Sequence, residues 1–167
     1  VQNLIGADQS FSLTQGLGAA AELLPVPASQ EVISEVYDFV VGRLRGLLRD
    51  EGYRYDVVEA VLAERGDNPA SASHAVRQLS EWVRQDHWSD LLHAYGRCKR
   101  MARRYKATYG LDLGSFIEPA TRELSQAYLA AAARVTPGSS VDALLESLGR
   151  LVSPINRFFD AVLVDDD

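Results

Sequence analysis

Cysteine is almost absent from this chain. Cys98 is the single one, so no internal disulfide can form, and the composition fits a reducing cytoplasm. The three histidines, His74, His87 and His93, share no metal-ligand spacing with it or with one another. No apolar run approaches the roughly 20 residues that span a bilayer, so no membrane partner is expected. The first residues lack the charged-then-apolar pattern of a secretory signal. There is no P-loop, GxGxxG, GxSxG or HExxH segment. No nucleophile with a neighbouring base can be read, so catalysis and a resident cofactor are not expected of these residues. Positive charge is also scarce, with 17 Lys and Arg against 23 Asp and Glu.

The scarce positive charge is gathered in one place. Residues 1–86 carry a net −6, residues 87–110 a net +5 and residues 111–167 a net −5. The dense part is Arg97-Cys98-Lys99-Arg100-Met101-Ala102-Arg103-Arg104-Tyr105-Lys106. One basic segment in an acidic protein can turn a positive surface toward a polyanion while the remainder repels it. The 167 residues are 47% apolar and 24% charged, which suits a soluble domain with its own core. A start on Val1 and an end on three aspartates predict a piece of a longer protein.

The punctuation predicts an all-α chain. Ser10 is a cap for a short helix ending before Pro25-Val26-Pro27, and Ser29 caps a long one ending at Gly52. In the long helix Val32, Val36, Phe39, Val40, Leu44, Leu47 and Leu48 recur at spacings of three and four, an amphipathic stripe. Asp56 opens a helix closed by Gly66. Asn68-Pro69 opens another that runs through Trp82 and Val83. A helix from Asp86 to about Gly110 carries the basic segment, and Pro119 starts one through Ala133. Ser140 caps Val141–Val152, and Ser153-Pro154 caps Ile155–Val164. No period-two alternation argues for strands.

On a helical wheel, Leu91, Ala94, Cys98, Met101, Ala102, Tyr105 and Tyr109 share one side. Arg97, Arg100 and Arg104 form a stripe beside it, and Lys99, Arg103 and Lys106 form the other. Guanidinium forks match phosphate oxygens, and phosphate contacts dominate nucleic-acid affinity. These six residues are therefore the candidate nucleic-acid contacts, with Tyr95, Tyr105 and Tyr109 as possible stacking platforms for unpaired bases. The plainer alternative is a solvated helix face whose cations complement the macrodipole. On that view the tyrosines are core or rim residues. Cys98, Trp82 and Trp88 read as packing residues, and the histidines as surface or rim residues.

Several ordered segments resemble one family. Phe39-Val40-Val41-Gly42-Arg43-Leu44-Arg45, Asp50-Glu51-Gly52-Tyr53 and Glu59-Ala60-Val61-Leu62-Ala63 look like the C-terminal region of the bacterial glycyl-tRNA synthetase β subunit. Lys99-Arg100-Met101 falls where that family has a KRV segment, and Phe158-Phe159-Asp160-Ala161-Val162-Leu163-Val164 is similar to its FFDxVMV helix. The resemblance runs from about Gln9 onward. It implies a bundle of about seven to eight helices of the anticodon-binding (DALR-like) type, over residues 29–167, with 1–28 as a helical lead-in. The residues after KRV depart from the family, which has an Asn-Ile pair where Arg103-Arg104 stand. The family also continues past Val164 into a terminal helix, so an uncovered apolar groove is expected here.

The resemblance further implies a non-catalytic part of a glycine–tRNA ligase. Its partners would be tRNA-Gly and the α subunit, in a heterotetramer. ATP and magnesium would serve the whole enzyme, with no cofactor on these residues. The competing readings are a helical protein-interaction module and the related anticodon-binding domain of arginyl-tRNA synthetase.

Overall fold

The computed structural model describes residues 1–107, 110 and 112–162, and these are helical with no strand among them. They fall into two compact units, Val1–Glu81 and Trp82–Asp167.

The first unit holds α1 (Gln2–Gly6), α2 (Leu13–Glu22), α3 (Gln30–Asp50), α4 (Tyr55–Arg65) and most of α5 (Pro69–Val83). Ser29 caps α3 as expected, its Oγ accepting from the Val32 amide. Asn68 caps α5 by accepting from Ser71 N. The α2 cap differs from expectation. Ser12 accepts from Gln15 N, while Ser10 instead accepts a bond from the Asn68 side chain. The start is fixed from outside the helix: Leu13 N donates to the Asp67 carbonyl, and Thr14 donates to the Asp67 carboxylate through both N and Oγ1, at 2.7 and 2.6 Å. Helix α4 begins at Tyr55, one residue before Asp56, which lies in its first turn.

Helix α3 ends where Gly52 adopts φ +90°, a left-handed geometry in which a Cβ is strained. Its core face is shorter than the sequence stripe. Leu44 and Leu48 are fully buried where α3 packs on α4, and Val57, Val58, Val61 and Leu62 of α4 are buried with them, as are Ala72, Ala75 and Val76 of α5. Val32, Val36 and Phe39 are exposed on one face of the first half of α3, while Ile33, Tyr37 and Val40 beside them are half-buried. Arg45 and Glu59 clamp α3 to α4 through two bonds, at 2.6 and 3.3 Å.

The second unit holds α6 (Trp88–Ala102), the 3-10 turn Leu113–Ser115, α7 (Pro119–Ala132), α8 (Val141–Gly149) and α9 (Val152–Ala161). Its core is Ala94, Ala131, Leu151 and Ile155, with Cys98, Leu124, Ala127, Leu148, Val152 and Phe159 packed around it. Trp82 Nε1 donates to Asp142 at 2.9 Å, tying the start of the unit to the first turn of α8. Arg157 forms a two-pronged ion pair with Glu123, joining α9 to α7. Ser140 caps α8 as expected.

Four boundaries differ in this unit. Helix α6 starts at Trp88 rather than Asp86 and ends at Ala102 rather than near Gly110. Helix α8 stops at Gly149 rather than Val152. Helix α9 then starts at Val152, with Leu151 in the cap position and Ser153-Pro154 inside the first turn. Pro154 cannot donate to the carbonyl of Arg150, and its ring crowds that carbonyl, so one continuous helix is broken there. The expected helix end at Leu163-Val164 lies outside the described residues, as do Tyr109 and the terminal aspartates.

Candidate nucleic-acid interface

Helix α6 exists because Leu91, Ala94, Cys98 and Met101 recur at spacings of three and four, giving an apolar strip to lay against α9. Leu91 and Ala94 are buried and Cys98 is half-buried; burial pushes the Cys98 thiol above its ordinary pKa, which keeps it neutral. This is the packing role the sequence suggests for it.

The six basic candidates divide into two groups. Arg97 faces α9. Its guanidinium carbon lies 4.4 Å from the Phe159 ring centroid, one nitrogen donates to Asn156 Oδ1 at 3.3 Å, and another lies 3.8 Å from Asp160 Oδ1. Lys99, Arg100, Arg103, Arg104 and Lys106 are exposed. Lys99 Nζ sits 5.6 Å from the ring centroid of Tyr95, which is itself exposed. Arg100 folds back along the helix, so that a Cβ on Gly96 would lie 3.7 Å from its Nη1.

The two stripes drawn on a helix to Gly110 do not exist in that form. Arg103 is the C-cap, and Arg104 and Tyr105 close the turn through amide bonds to the Met101 and Ala102 carbonyls, each at 3.1 Å. Lys106 lies beyond the helix. Lys99 and Arg103, four residues apart across the last turn, are a like-charge pair that costs a few tenths of a kcal/mol. The result is a cluster of cations on the last turn of α6 and the chain just after it, where the helix C-terminus also favours positive charge. Tyr105 is exposed beside them. Tyr109 lies outside the described residues, so its stacking role has no geometry here.

Beside this face is an apolar groove of about 410 Å³, lined chiefly by Cys98, Phe116, Leu124, Tyr128, Ile155 and Phe158. Phe158 and Phe159 meet edge to face at 5.3 Å, and both are half-buried rather than fully buried. His74, in the first unit, is held by Asp8 at 2.6 Å and Arg77 at 2.8 Å. Among the described residues, no group of His, Cys, Asp and Glu could hold a metal ion, and no helix is long and apolar enough to cross a membrane.

Sequence reasoning missed Asn156 and Asp160 as partners of the basic segment. Their signal was present: four residues apart on α9 and flanking Phe159, they form a polar edge beside an aromatic face. Only the packing of α6 on α9 shows that Arg97 meets that edge.

No protein-family model matches the chain. Relatives do. The chloroplastic/mitochondrial glycine–tRNA ligase 2 of Arabidopsis thaliana is 30% identical over 166 residues, which are 98% of this chain and 16% of that protein. The glycine–tRNA ligase β subunit of Haemophilus influenzae is 35% identical over 140 residues, 81% of this chain and 19% of the relative. That of Moorella thermoacetica is 34% identical over 163 residues, 92% and 24% respectively. The chain thus spans about a fifth of the length of the relatives it matches. With 81 to 98% of its residues aligned at 30 to 35% identity, the chain belongs to the glycine–tRNA ligase β-subunit family over the region it spans.

Proposed function

We propose that this region holds tRNA-Gly for ATP-dependent glycylation, working in the cytoplasm as an anticodon-binding-type domain beside the α subunit of the same enzyme. The observation that carries the reading is the exposed set Lys99, Arg100, Arg103, Arg104 and Lys106 in a domain of net charge −6. Such a surface attracts a phosphate backbone at one place and repels it elsewhere, which fixes an orientation. The names of the relatives supply the polyanion: a transfer RNA is the macromolecular substrate of a glycine–tRNA ligase. The adenylation chemistry, with its ATP and magnesium, belongs in this reading to the rest of the enzyme. The same names favour it over an arginyl-tRNA synthetase domain.

The test is a salt titration of tRNA-Gly binding. If about five cations meet phosphates, log K falls against log salt with a slope of about −3.5 to −4.5. A slope near zero, or equal binding of a neutral polymer, would remove the reading. A second reading rests on the groove of Cys98, Phe116, Leu124, Tyr128, Ile155 and Phe158, an apolar surface suited to a partner helix. Its signature is a protein complex that survives high salt.

A further inference from the structure

We propose that the first half of α3 is a self-association surface, along which two copies of this chain pair antiparallel with Phe39 against Phe39 at a two-fold axis. Every residue involved lies in Val1–Glu81, so the inference stands apart from the RNA reading.

The surface is an exposed apolar stripe. Phe39 is 69% exposed, Val32 48% and Val36 40%, and their spacings of four and three put them on one face. Followed toward the C-terminus, the same face carries Gly42, Arg43 and Gly46. A Cβ built on either glycine meets nothing within 4 Å. A groove of about 450 Å³ opens there, bounded in part by Val1 and Gln2. Half of the face therefore offers protrusions, and the other half offers sockets.

Reversing one copy about Phe39 matches the two halves. Val36 then stands opposite Gly42 of the second copy, Val32 opposite its Gly46, and Glu35 opposite its Arg43. The charge pattern agrees. Glu31, Glu35 and Asp38 lie in the first half of the helix, and Arg43, Arg45 and Arg49 lie in the second. Arg45 is taken by Glu59, and Arg49 lies over the Tyr55 ring, which leaves exposed Arg43 as the complement of Glu35. A parallel pair would set Glu35 against Glu35 and is disfavoured. An unrelated apolar partner would give no reason for protrusions, sockets and charges to match under a two-fold rotation, which is the mark of an isologous contact.

Sedimentation equilibrium of the 167-residue chain should show a dimer with a dissociation constant in the micromolar range. Glu35→Arg should weaken it roughly tenfold or more, and adding Arg43→Glu should restore it. That restoration separates lost pairing from lost folding. In a Cys98→Ser background, Val32→Cys with Gly46→Cys should give a covalent dimer on mild oxidation, and Val32→Cys alone should not. The two positions in one copy are about 21 Å apart along the helix, too far for an internal bond. A chain that stays monomeric up to about 100 µM overturns the proposal, even if Phe39 proves protected in a longer polypeptide. So does a charge swap that fails to restore the dimer, or a covalent dimer through Val32 alone.

Discussion

Arg97 of α6 lies face-on to Phe159 of α9, its guanidinium carbon 4.4 Å from the ring centroid, while Asn156 and Asp160 take its outer edge. A planar cation stacked on an aromatic ring joins the two helices more firmly than an exposed ion pair would. Arg97 is thus a brace beneath the exposed cations. Arg97→Ala should lower stability by about 1–2 kcal/mol, and Phe159→Ala by about 2–3 kcal/mol, below the loss for a fully buried Phe. A urea-melt double-mutant cycle should give a coupling of about 0.5–2 kcal/mol between them. Additive losses would show that the stack contributes nothing.

The exposed cations should behave differently from Arg97. Arg100→Glu with Arg104→Glu should cost little stability beyond the lost helix-terminus term and weaken tRNA-Gly binding in low salt by ~1 kcal/mol or more per reversed contact. Arg97→Ala should instead affect stability first and binding second. Fluorescence titration and circular dichroism on the same samples separate the two. Unchanged affinity in the double variant, with intact helicity, would count against the interface.

Asp67 makes one stability term pH-dependent. Burial alone would raise its pKa, yet bonds from the Thr14 and Ser12 side chains and from the Thr14 amide outweigh it, so the carboxyl is held below its ordinary value. The unfolded chain therefore binds the proton first. The contribution is fully present above the ordinary Asp range near pH 4 and is lost as pH falls through the lowered folded value. Asp67→Asn should cost about 1 kcal/mol at neutral pH, and the gap to the parent should close on acidification. A gap that widens below about pH 4 would reverse the sign and refute the assignment.

Four helix starts were legible from their capping chemistry, whereas those read at Asp56, Asp86 and Ser153-Pro154 were displaced. Ser29, Asn68-Pro69, Pro119 and Ser140 each begin the helix that their chemistry predicts. Ser10 and Ser12 were rivals, and a carboxylate 53 residues away chose between them by bonding to Thr14. Helix ends were less legible when no glycine or proline marked them. The end of α6 at Ala102 has no such mark, and a wheel diagram drawn on to Gly110 cannot show it. The stripe on α3 shows the other limit. Its period was readable, but which half would be buried depends on where α2 and α4 pack. The division of the basic segment into a brace and an exposed set came likewise from packing, because nothing local to Arg97 distinguishes it from Arg100.

The last prediction concerns the division of labour within the enzyme. If this region serves only to hold tRNA, deleting it from the full-length β subunit should spare glycine-dependent ATP–pyrophosphate exchange, since activation of the amino acid needs no tRNA contact. The transfer step should suffer instead, mainly as a raised KM for tRNA-Gly, because lost phosphate contacts remove binding to ground and transition states alike. The charge-reversed Arg100 and Arg104 variant should show the same pattern in milder form, with kcat nearly preserved. The two assays, run on assemblies shown by sedimentation to be intact, distinguish the outcomes. Loss of both steps together in such an assembly would mean that the region supports the active site directly, and the holding role would have to be abandoned.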